Sequence, residues 1–228
     1  NSQFTIHNSQ FTIHNSQFKL KKSALLLIII FCAVAEAAAQ NVDSLLREVH
    51  CSDQAARRAM IALTQSDQLD IDAVIAAQEQ IDKVDSINQV VVARLLEKGW
   101  PRGLSDEAHH TIWLVIDHAP LDYQLRYLPL VEEQMVKGVI SKSDYATLFD
   151  RVCMRQGAPQ RYGTQTVQRR SAEANAPIYV WPIENPRKLN RLRRAMGLSP
   201  IKRYCRKVAK TYGAPCIYDP SLSVEDFE

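Results

Sequence analysis

The sequence predicts a mainly α-helical domain, built as a bundle-like array of helices with a small β insert. Three observations lead to this fold class. Apolar residues recur three and four positions apart over most of the chain after residue 40, which is the spacing of amphipathic helices. Glycine and proline interrupt these stretches, and between residues 159 and 183 the composition changes to prolines and β-prone residues. About 190 residues follow residue 39, enough for one domain with its own core.

Helix ends can be placed by their start and stop signals. The first two helices are expected over about 42–63 and 71–96, and Gly99 with Pro101 ends the second. Ser105, followed by two acids, begins a third helix that continues to about His118. The fourth is expected over about 121–137, because Gly138 then stops it.

In the second half of the chain, the predicted helices are shorter and are interrupted more often. Ser141 and Asp144 form a capping box for a fifth helix, which ends at Gly157. The segment "PIYVWPI" then predicts a small β-hairpin or an irregular insert within 159–183. Short helices are expected over about 186–196 and 200–212. Residues 40–228 are therefore predicted to form a single mainly helical domain.

A seven-residue unit, NSQFTIH, occurs twice at the start of the chain and a third time with its end altered. Units of stacked repeat proteins have roughly 20 or more residues and continue through the chain. We therefore interpret residues 1–18 as a disordered heptapeptide repeat or a mis-assigned start.

Residues 19–39 have the layout of a secretory signal peptide. Three lysines precede an apolar run, Ala24–Val34, and small residues follow it. The run is shorter than the about 20 residues that a membrane span needs. Cleavage is expected near Ala39, which predicts a periplasmic or secreted mature chain; contact with a membrane through an uncleaved signal segment is the alternative.

Four cysteines remain in the expected mature chain. An even number of cysteines in an exported protein is compatible with two disulfides. Cys205 and Cys216 are the first candidate pair, because they are close in sequence and flank a turn-like Tyr-Gly-Ala-Pro. The alternative for Cys51 and Cys153 is that they are plain buried thiols.

Charge is unevenly distributed along the mature chain. Residues 40–150 hold 10 Lys and Arg against 18 Asp and Glu, whereas residues 151–228 hold 15 against 6. Docking of an acidic helical body on a basic tail would explain this without a partner. Nucleic acid is not a predicted partner, because no reader motif and no series of stacking aromatics accompanies the basic residues.

The sequence lacks the motifs of several common catalytic and binding sites. The mature chain lacks a G-x-S-x-G elbow, a glycine-rich phosphate loop and a C-x-x-C pair. His110 and His118 are two turns apart on one predicted helix, about 12 Å along its axis, which is too far for one metal ion. No metal site and no cofactor are predicted.

The loop "GAPQRYGTQ" is the most unusual polar segment. Its glutamines, tyrosine and threonine can donate and accept hydrogen bonds, so they form either a ligand-binding wall or a buried polar latch. Asp150 and Arg151 lie on the helix that enters the loop, and Arg194 lies on a basic helix face farther along. The predicted ligand-binding residues are Arg151, Gln160, Tyr162, Thr164, Gln165 and Arg194. The catalytic candidates are His118 and Asp150, as general acid or base; for His118 the alternative is a helix cap.

Several segments together resemble a bacterial domain of unknown function, family 6624. They are "GWP", "WLVIDHA", "QLRYLPLVEEQMVKG", "LFDRVCMRQGAPQRYGTQ" and "RRAMGLSPIKRY", which extend over about 85–204. The resemblance implies one common helical domain with its polar motif gathered in one place, and no assigned reaction. This chain departs from the family pattern at Pro120, where the family typically has an aspartate after His-Ala. The motif positions are His118, Asp150, Arg151, Gln160, Tyr162, Gly163, Thr164, Gln165, Arg194, Gly197 and Leu198.

Three functions follow as hypotheses. The first is a polar cleft that binds a small polar or anionic ligand. The second is a hydrolase-like enzyme that uses His118 or Asp150 as general acid or base. The third is a structural or interaction domain in which the polar loop is a buried latch. They differ in whether the polar side chains are open to solvent and unpaired, or sealed and fully bonded.

Overall fold

The computed structural model describes residues 40–63, 70–168 and 176–227, and over these ranges it confirms the mainly α fold class with a small β insert. The predicted heptapeptide repeat and signal peptide lie outside the described residues. The helices are α1 (40–63), α2 (Ile71–Leu96), α3 (Asp106–His118), α4 (Leu121–Val136), α5 (Lys142–Arg155), α6 (Leu189–Ala195) and α7 (Ile201–Tyr212). The strands are β1 (Thr166–Gln168), β2 (Ile178–Val180) and β3 (Cys216–Ile217), and 3₁₀ turns cover Pro186–Lys188 and Val224–Phe227. Within the described ranges, no helix is long and apolar enough to cross a membrane.

Local capping sets the helix ends close to where the sequence predicts them. Ser105 Oγ accepts a hydrogen bond from the backbone of Ala108, and Ser141 Oγ accepts one from the backbone of Asp144. Gly157 follows α5 with φ of 67°, a left-handed conformation that glycine adopts without strain. The loop 157–165 therefore leaves α5 in a defined direction.

Helix α3 is the central element of the helical body. Its residues 111–117 are buried without interruption, as expected for a helix enclosed by others. It packs against α2, α4 and α5. The fully buried core side chains around it include Leu46, Val92, Ile112, Ile116, Val131 and Leu148. The exposed residues of α3, Asp106 and Glu107, lie in its first turn, and the half-buried His118 ends it.

The C-terminal part forms a small sheet with its own apolar clusters. Strand β1 pairs antiparallel with β2, as the predicted hairpin requires, and β2 pairs in parallel with β3. The sequence did not predict β3, because a two-residue strand has no alternation to detect and its partner lies far back along the chain. One cluster comprises Ile178, Val208 and Ala214, and another comprises Val180, Leu189 and Ile201.

Salt bridges contribute little to the docking of the acidic body on the basic tail. Among the ion pairs of the described residues, one joins residues 40–150 to residues 151–228, and it links Asp117 to Arg151. The opposite net charges of the two parts therefore produce little direct ion pairing between them. Hydrogen bonds from the backbone of the loop 157–165 to Asp150 join the two parts instead.

Candidate functional site

The loop 157–165 folds back around the carboxylate of Asp150. Asp150 Oδ1 accepts hydrogen bonds from the backbone N–H groups of Arg161 (2.8 Å) and Tyr162 (3.0 Å). Its Oδ2 accepts hydrogen bonds from the backbone N–H of Thr164 (3.0 Å) and from the hydroxyl of the same residue (2.9 Å). Asp150 has no exposed surface. Its carboxylate therefore supplies the acceptors that the irregular backbone of the loop lacks.

The pKa of Asp150 reflects two opposed effects. Burial raises the pKa, and the hydrogen bonds from Tyr162, Thr164 and Arg161 lower it, so that the net direction is upward. All of these partners are donors, and only the ionised carboxylate accepts hydrogen bonds through both oxygens without presenting a proton to another donor. The loop geometry is therefore built around ionised Asp150.

Gln160 and Gln165 connect the loop to itself and to its neighbours. Gln160 Oε1 accepts a hydrogen bond from the backbone of Gln165 (2.8 Å). Its Nε2 donates to the carbonyls of Gln165 (2.9 Å) and Trp181 (2.7 Å). Gln165 Nε2 donates to the carbonyl of Thr147 on α5 (3.2 Å). The two side chains, 0 % and 6 % exposed, thus tie α5 to the residue that follows β2.

Arg193 of α6 closes the loop from the opposite side. Its Nη1 donates to the carbonyls of Tyr162 and Gly163, both at 2.7 Å, and its Nε donates to the carbonyl of Ser199 at 2.6 Å. The guanidinium lies 4.9 Å from the ring centre of Tyr204, a cation–π contact. Burial lowers the pKa of Arg193, and the three carbonyl acceptors compensate for its lost hydration.

Glycine is needed at position 163 for this close approach. Gly163 has φ of 69°, and a Cβ there would lie 3.3 Å from side-chain atoms of Ile183 and Ile201 and 3.4 Å from Arg193 Nη1. A larger residue would be strained in its backbone and would press on the guanidinium. The bend therefore depends on the absence of a side chain.

We call this buried group, Asp150, Gln160, Gln165 and Arg193, the polar latch. In the part of the chain that the structure describes, two buried side-chain atoms lack a hydrogen-bond partner, Asn88 Nδ2 and Gln124 Oε1, and neither belongs to the latch. Each of the four latch side chains makes at least two hydrogen bonds to the protein, and a buried network bonded in this way stabilises one conformation. The geometry of the loop thus favours the latch over a ligand-binding wall.

A second polar cluster lies at the carboxyl end of α3. His118 Nδ1 is 2.9 Å from Oδ1 of Asp53 on α1. Asp53 is 1 % exposed, and it also accepts a hydrogen bond from Gln54 (2.8 Å) and contacts Arg57 (3.1 Å). Arg57 binds Asp85 of α2 through both terminal nitrogens, at 3.0 and 2.9 Å. Charged side chains therefore join α1, α2 and α3 at this point.

The carboxylate of Asp53 fixes which nitrogen of the His118 ring carries a proton. Burial would raise the pKa of Asp53, but the hydrogen bond and charge of His118, with Arg57 and Gln54, lower it below its usual value. Ionised Asp53 requires a proton on Nδ1 of the imidazole. The other ring nitrogen, Nε2, has no partner among the described residues, and the His118 side chain is 20 % exposed. His118 thus keeps one nitrogen available to solvent or to a ligand.

Two arginines of α5 reach the same end of α3. Arg151 Nε donates to Asp117 Oδ1 at 3.0 Å, and Arg155 Nη1 donates to the carbonyl of Ala119 at 2.5 Å. Burial lowers the pKa of Arg155, and the positive charge of Arg151 lowers it further. Arg155 forms no ion pair with any described carboxylate. We call this set of residues the four-helix junction: Asp53, Arg57, Asp85, Asp117, His118, Arg151 and Arg155.

The predicted site residues fall into different places. His118 and Arg151 belong to the four-helix junction, whereas Asp150, Gln160 and Gln165 belong to the latch. Asp150 and His118 are bonded in separate networks, so the structure does not join them as an acid/base pair. Tyr162 is 9 % exposed, and Thr164 is half-buried beside Asp150. Arg194 is exposed on α6, next to the latch residue Arg193 and outside both networks.

The four cysteines of the described residues are free thiols. Cys205 on α7 and Cys216 on β3 are nevertheless adjacent, because their side chains share a hydrogen bond, and burial raises the pKa of both thiols. The pairing of these two cysteines in an oxidised protein stays a prediction. Over the described ranges, no group of three or more His, Cys, Asp or Glu side chains is arranged to hold a metal ion.

Sequence reasoning missed Asp53 and Arg193, although each leaves a signal. Leu46, Val49 and Ala56 form the buried stripe of α1, and Asp53 occupies a position of that stripe. Arg193 likewise lies on the buried face of α6 with Leu189. A charged residue at a core position of an amphipathic helix indicates a buried polar contact, because an unpaired charge there would be costly.

The fold and its two networks define the class of protein, a mainly helical domain in which a polar latch fastens a small sheet to the helical body. A profile of a family of unknown function, DUF6624, matches residues 43–216. The chain belongs to this family. The matched segment contains all residues of the latch and of the four-helix junction. No curated protein and no solved structure gives a significant match.

Proposed function

We propose that this chain is an exported domain that binds a small anionic ligand at the four-helix junction. The observation that carries the proposal is the pair of α5 arginines at the carboxyl end of α3, the same helix end that carries His118. Arg151 and Arg155 are one helical turn apart, and Arg155 has no carboxylate partner among the described residues. An anion between them would relieve the repulsion of two neighbouring positive charges.

The charge balance of the junction supports an anion over a cation. Its three buried or half-buried carboxylates, Asp53, Asp85 and Asp117, are already engaged by arginines. The groups with unused donors are the guanidinium of Arg155, the terminal nitrogens of Arg151 and Nε2 of His118 when it is protonated. A carboxylate or phosphate can accept hydrogen bonds from such donors, and guanidinium groups bind both well.

Thermal denaturation in the presence of phosphate, acetate, citrate or glutamate tests this proposal. We expect at least one of these anions to raise the midpoint by about 5 °C at a hundredfold excess over its Kd. Arg155→Gln should reduce that rise. Arg191→Gln, which changes an exposed arginine of α6 outside both networks, is the matched control and should retain it.

The result that would overturn the proposal is a rise that is equal in Arg155→Gln and in Arg191→Gln, or no rise with any of the four anions. Either outcome would favour the third hypothesis, a structural or interaction domain whose polar residues serve the latch alone. The two variants distinguish ligand binding from a purely structural role, because neither Arg155 nor Arg191 contributes to the latch.

A second candidate function is acid/base catalysis at the same place. The specific observation is the hydrogen bond from His118 Nδ1 to buried Asp53, which orients the imidazole and leaves Nε2 to exchange a proton with a substrate. A hydrolase of this kind would turn over p-nitrophenyl acetate or p-nitrophenyl phosphate at a rate lost in His118→Gln and kept in His110→Gln. A pure binding site would show no turnover.

Export is part of the proposal and rests on the order of basic, apolar and small residues in 19–39. Cleavage near Ala39 would release the matched domain into the periplasm or the medium. N-terminal sequencing of the mature protein checks this, and a sequence that begins before Lys22 would contradict it.

A further inference from the structure

A cavity of about 440 Å³ lies at the other end of α3, between the α2–α3 loop and the end of α4. Its volume is within the range of small-molecule sites, which starts at about 300 Å³. The segment "KGWPRG", Lys98–Gly103, forms one wall, and Gln134 and Lys137 of the α4 end contribute to the other. None of its residues belongs to the polar latch or to the four-helix junction.

The charged side chains around this cavity favour an anion. Lys98 and Arg102 are exposed at its rim, and neither forms an ion pair with a described carboxylate. The acid of the lining is Glu133, which already pairs with Lys137. The cavity thus carries two uncommitted positive charges and no uncommitted negative one in the described lining.

The tautomer of His109 provides a further donor. The indole Nε1–H of Trp100 donates to His109 Nδ1 at 2.9 Å. Because the indole nitrogen can only donate, Nδ1 must be the unprotonated nitrogen and Nε2 must carry the proton. Burial lowers the pKa of His109 and outweighs the opposite effect of the Asp106 and Asp43 charges, in agreement with a neutral ring. His109 lines the cavity, and its Nε2–H has no acceptor among the described residues.

Gln134 contributes an unbonded side-chain amide to the lining of the cavity. It is 5 % exposed and lines the cavity, yet its side-chain amide makes no hydrogen bond to any described residue. Its amide atoms are not among the fully enclosed unpaired atoms of the described residues, so the amide is accessible from the cavity and free to bond a ligand.

We propose that this cavity binds a small organic oxyanion, a carboxylate or a phosphate, through Lys98, Arg102, His109 and Gln134. Trp100 supplies an apolar wall for the body of the ligand, since its polar atom is already used by His109. Binding at this cavity is separate from the proposed function, because the residues that line the cavity lie at the opposite end of α3 from the four-helix junction. Carboxylate and phosphate share the chemistry of accepting hydrogen bonds from cationic and amide donors.

Isothermal titration of the purified protein with benzoate and with phenyl phosphate tests the proposal. We expect at least one probe to bind with one-to-one stoichiometry and with an affinity that falls as salt is added. The double variant Lys98→Gln, Arg102→Gln should weaken binding at least tenfold. Lys142→Gln, Arg191→Gln, which removes two charges outside the cavity, is the matched control and should leave the affinity unchanged.

Gln134→Leu separates a ligand-binding role from a structural one. Its affinity for the probe should fall about tenfold while its unfolding temperature stays at or above that of the parent protein, because the amide has no protein partner to lose. A marked loss of thermal stability with unchanged affinity would contradict the proposal.

The two anion sites are distinguishable in the same titrations. Arg155→Gln should leave the binding of benzoate and phenyl phosphate intact if they occupy this cavity. Binding that is lost in Arg155→Gln, or that survives in the Lys98→Gln, Arg102→Gln variant, would overturn the inference, as would the absence of binding by both probes. Binding of benzoate alone assigns a carboxylate, and binding of phenyl phosphate alone assigns a phosphate.

Discussion

Replacing Asp150 by asparagine is expected to lower the free energy of unfolding by about 3–5 kcal/mol. The carboxylate accepts hydrogen bonds from the backbone of Arg161, Tyr162 and Thr164 and from the Thr164 hydroxyl. An asparagine of nearly the same size turns an NH₂ group toward one set of these donors, so hydrogen bonds are lost and two donors face each other. Urea denaturation followed by circular dichroism measures the change, with the m-value expected to stay constant.

The matched control is Asp122→Asn, because Asp122 is exposed in the first turn of α4. It should cost less than about 1 kcal/mol, the usual size of a charge at a helix start. Thr164→Val in the latch should fall between the two, at about 1 kcal/mol, since it removes one hydrogen bond to Asp150. If Asp150→Asn were no more costly than Asp122→Asn, the loop would not depend on that carboxylate.

Replacing Arg193 by lysine is expected to lower the free energy of unfolding by about 2–4 kcal/mol. The guanidinium reaches three carbonyls, those of Tyr162, Gly163 and Ser199, from one planar group. A lysine has a single nitrogen, which cannot reach both sides of the loop, and it loses the flat contact with Tyr204. Buried carbonyls would then be left without a donor. Chemical denaturation measures the loss.

The neighbouring residue provides the control. Arg194 has the same chemistry on the same helix but is exposed, so Arg194→Lys should change stability by less than about 0.5 kcal/mol. Equal stability of the two lysine variants would show that the carbonyl contacts of Arg193 are not needed. The comparison also bears on ligand binding, because Arg194 was predicted from sequence as a ligand residue and remains available for that role.

In the proposed function, the four-helix junction binds the ligand and the latch holds the elements that carry the junction in place. The latch carries the polar residues that stood out in the sequence, and it secures the C-terminal end of α5 to the sheet and to α6. That end of α5 carries Arg151 and Arg155, which reach the carboxyl end of α3. Destabilising the latch is therefore expected to disturb the arginine positions indirectly. Ligand-binding variants should for this reason be chosen from the junction, not from the loop.

Local signals in the sequence were enough to predict most helices. The capping serines Ser105 and Ser141 and the stop at Gly157 act through hydrogen bonds and backbone conformations within a few residues. The resemblance to the family also indicated the polar loop as the distinctive segment. It did not indicate whether the loop meets a ligand or the protein itself, because a list of donors and acceptors is the same in both cases.

What the sequence determined by itself is the mainly helical architecture, the helix ends and the place of the short hairpin, since each depends on periodicity and on neighbours along the chain. Tertiary structure alone decided that Asp150 is enclosed by its own loop, that Arg193 and not Arg194 closes that loop, and that His118 meets Asp53. These contacts join residues 11 to 65 positions apart. Their formation depends on how the helices pack around α3, and the energy of burying a charge is set by the partners that packing brings to it.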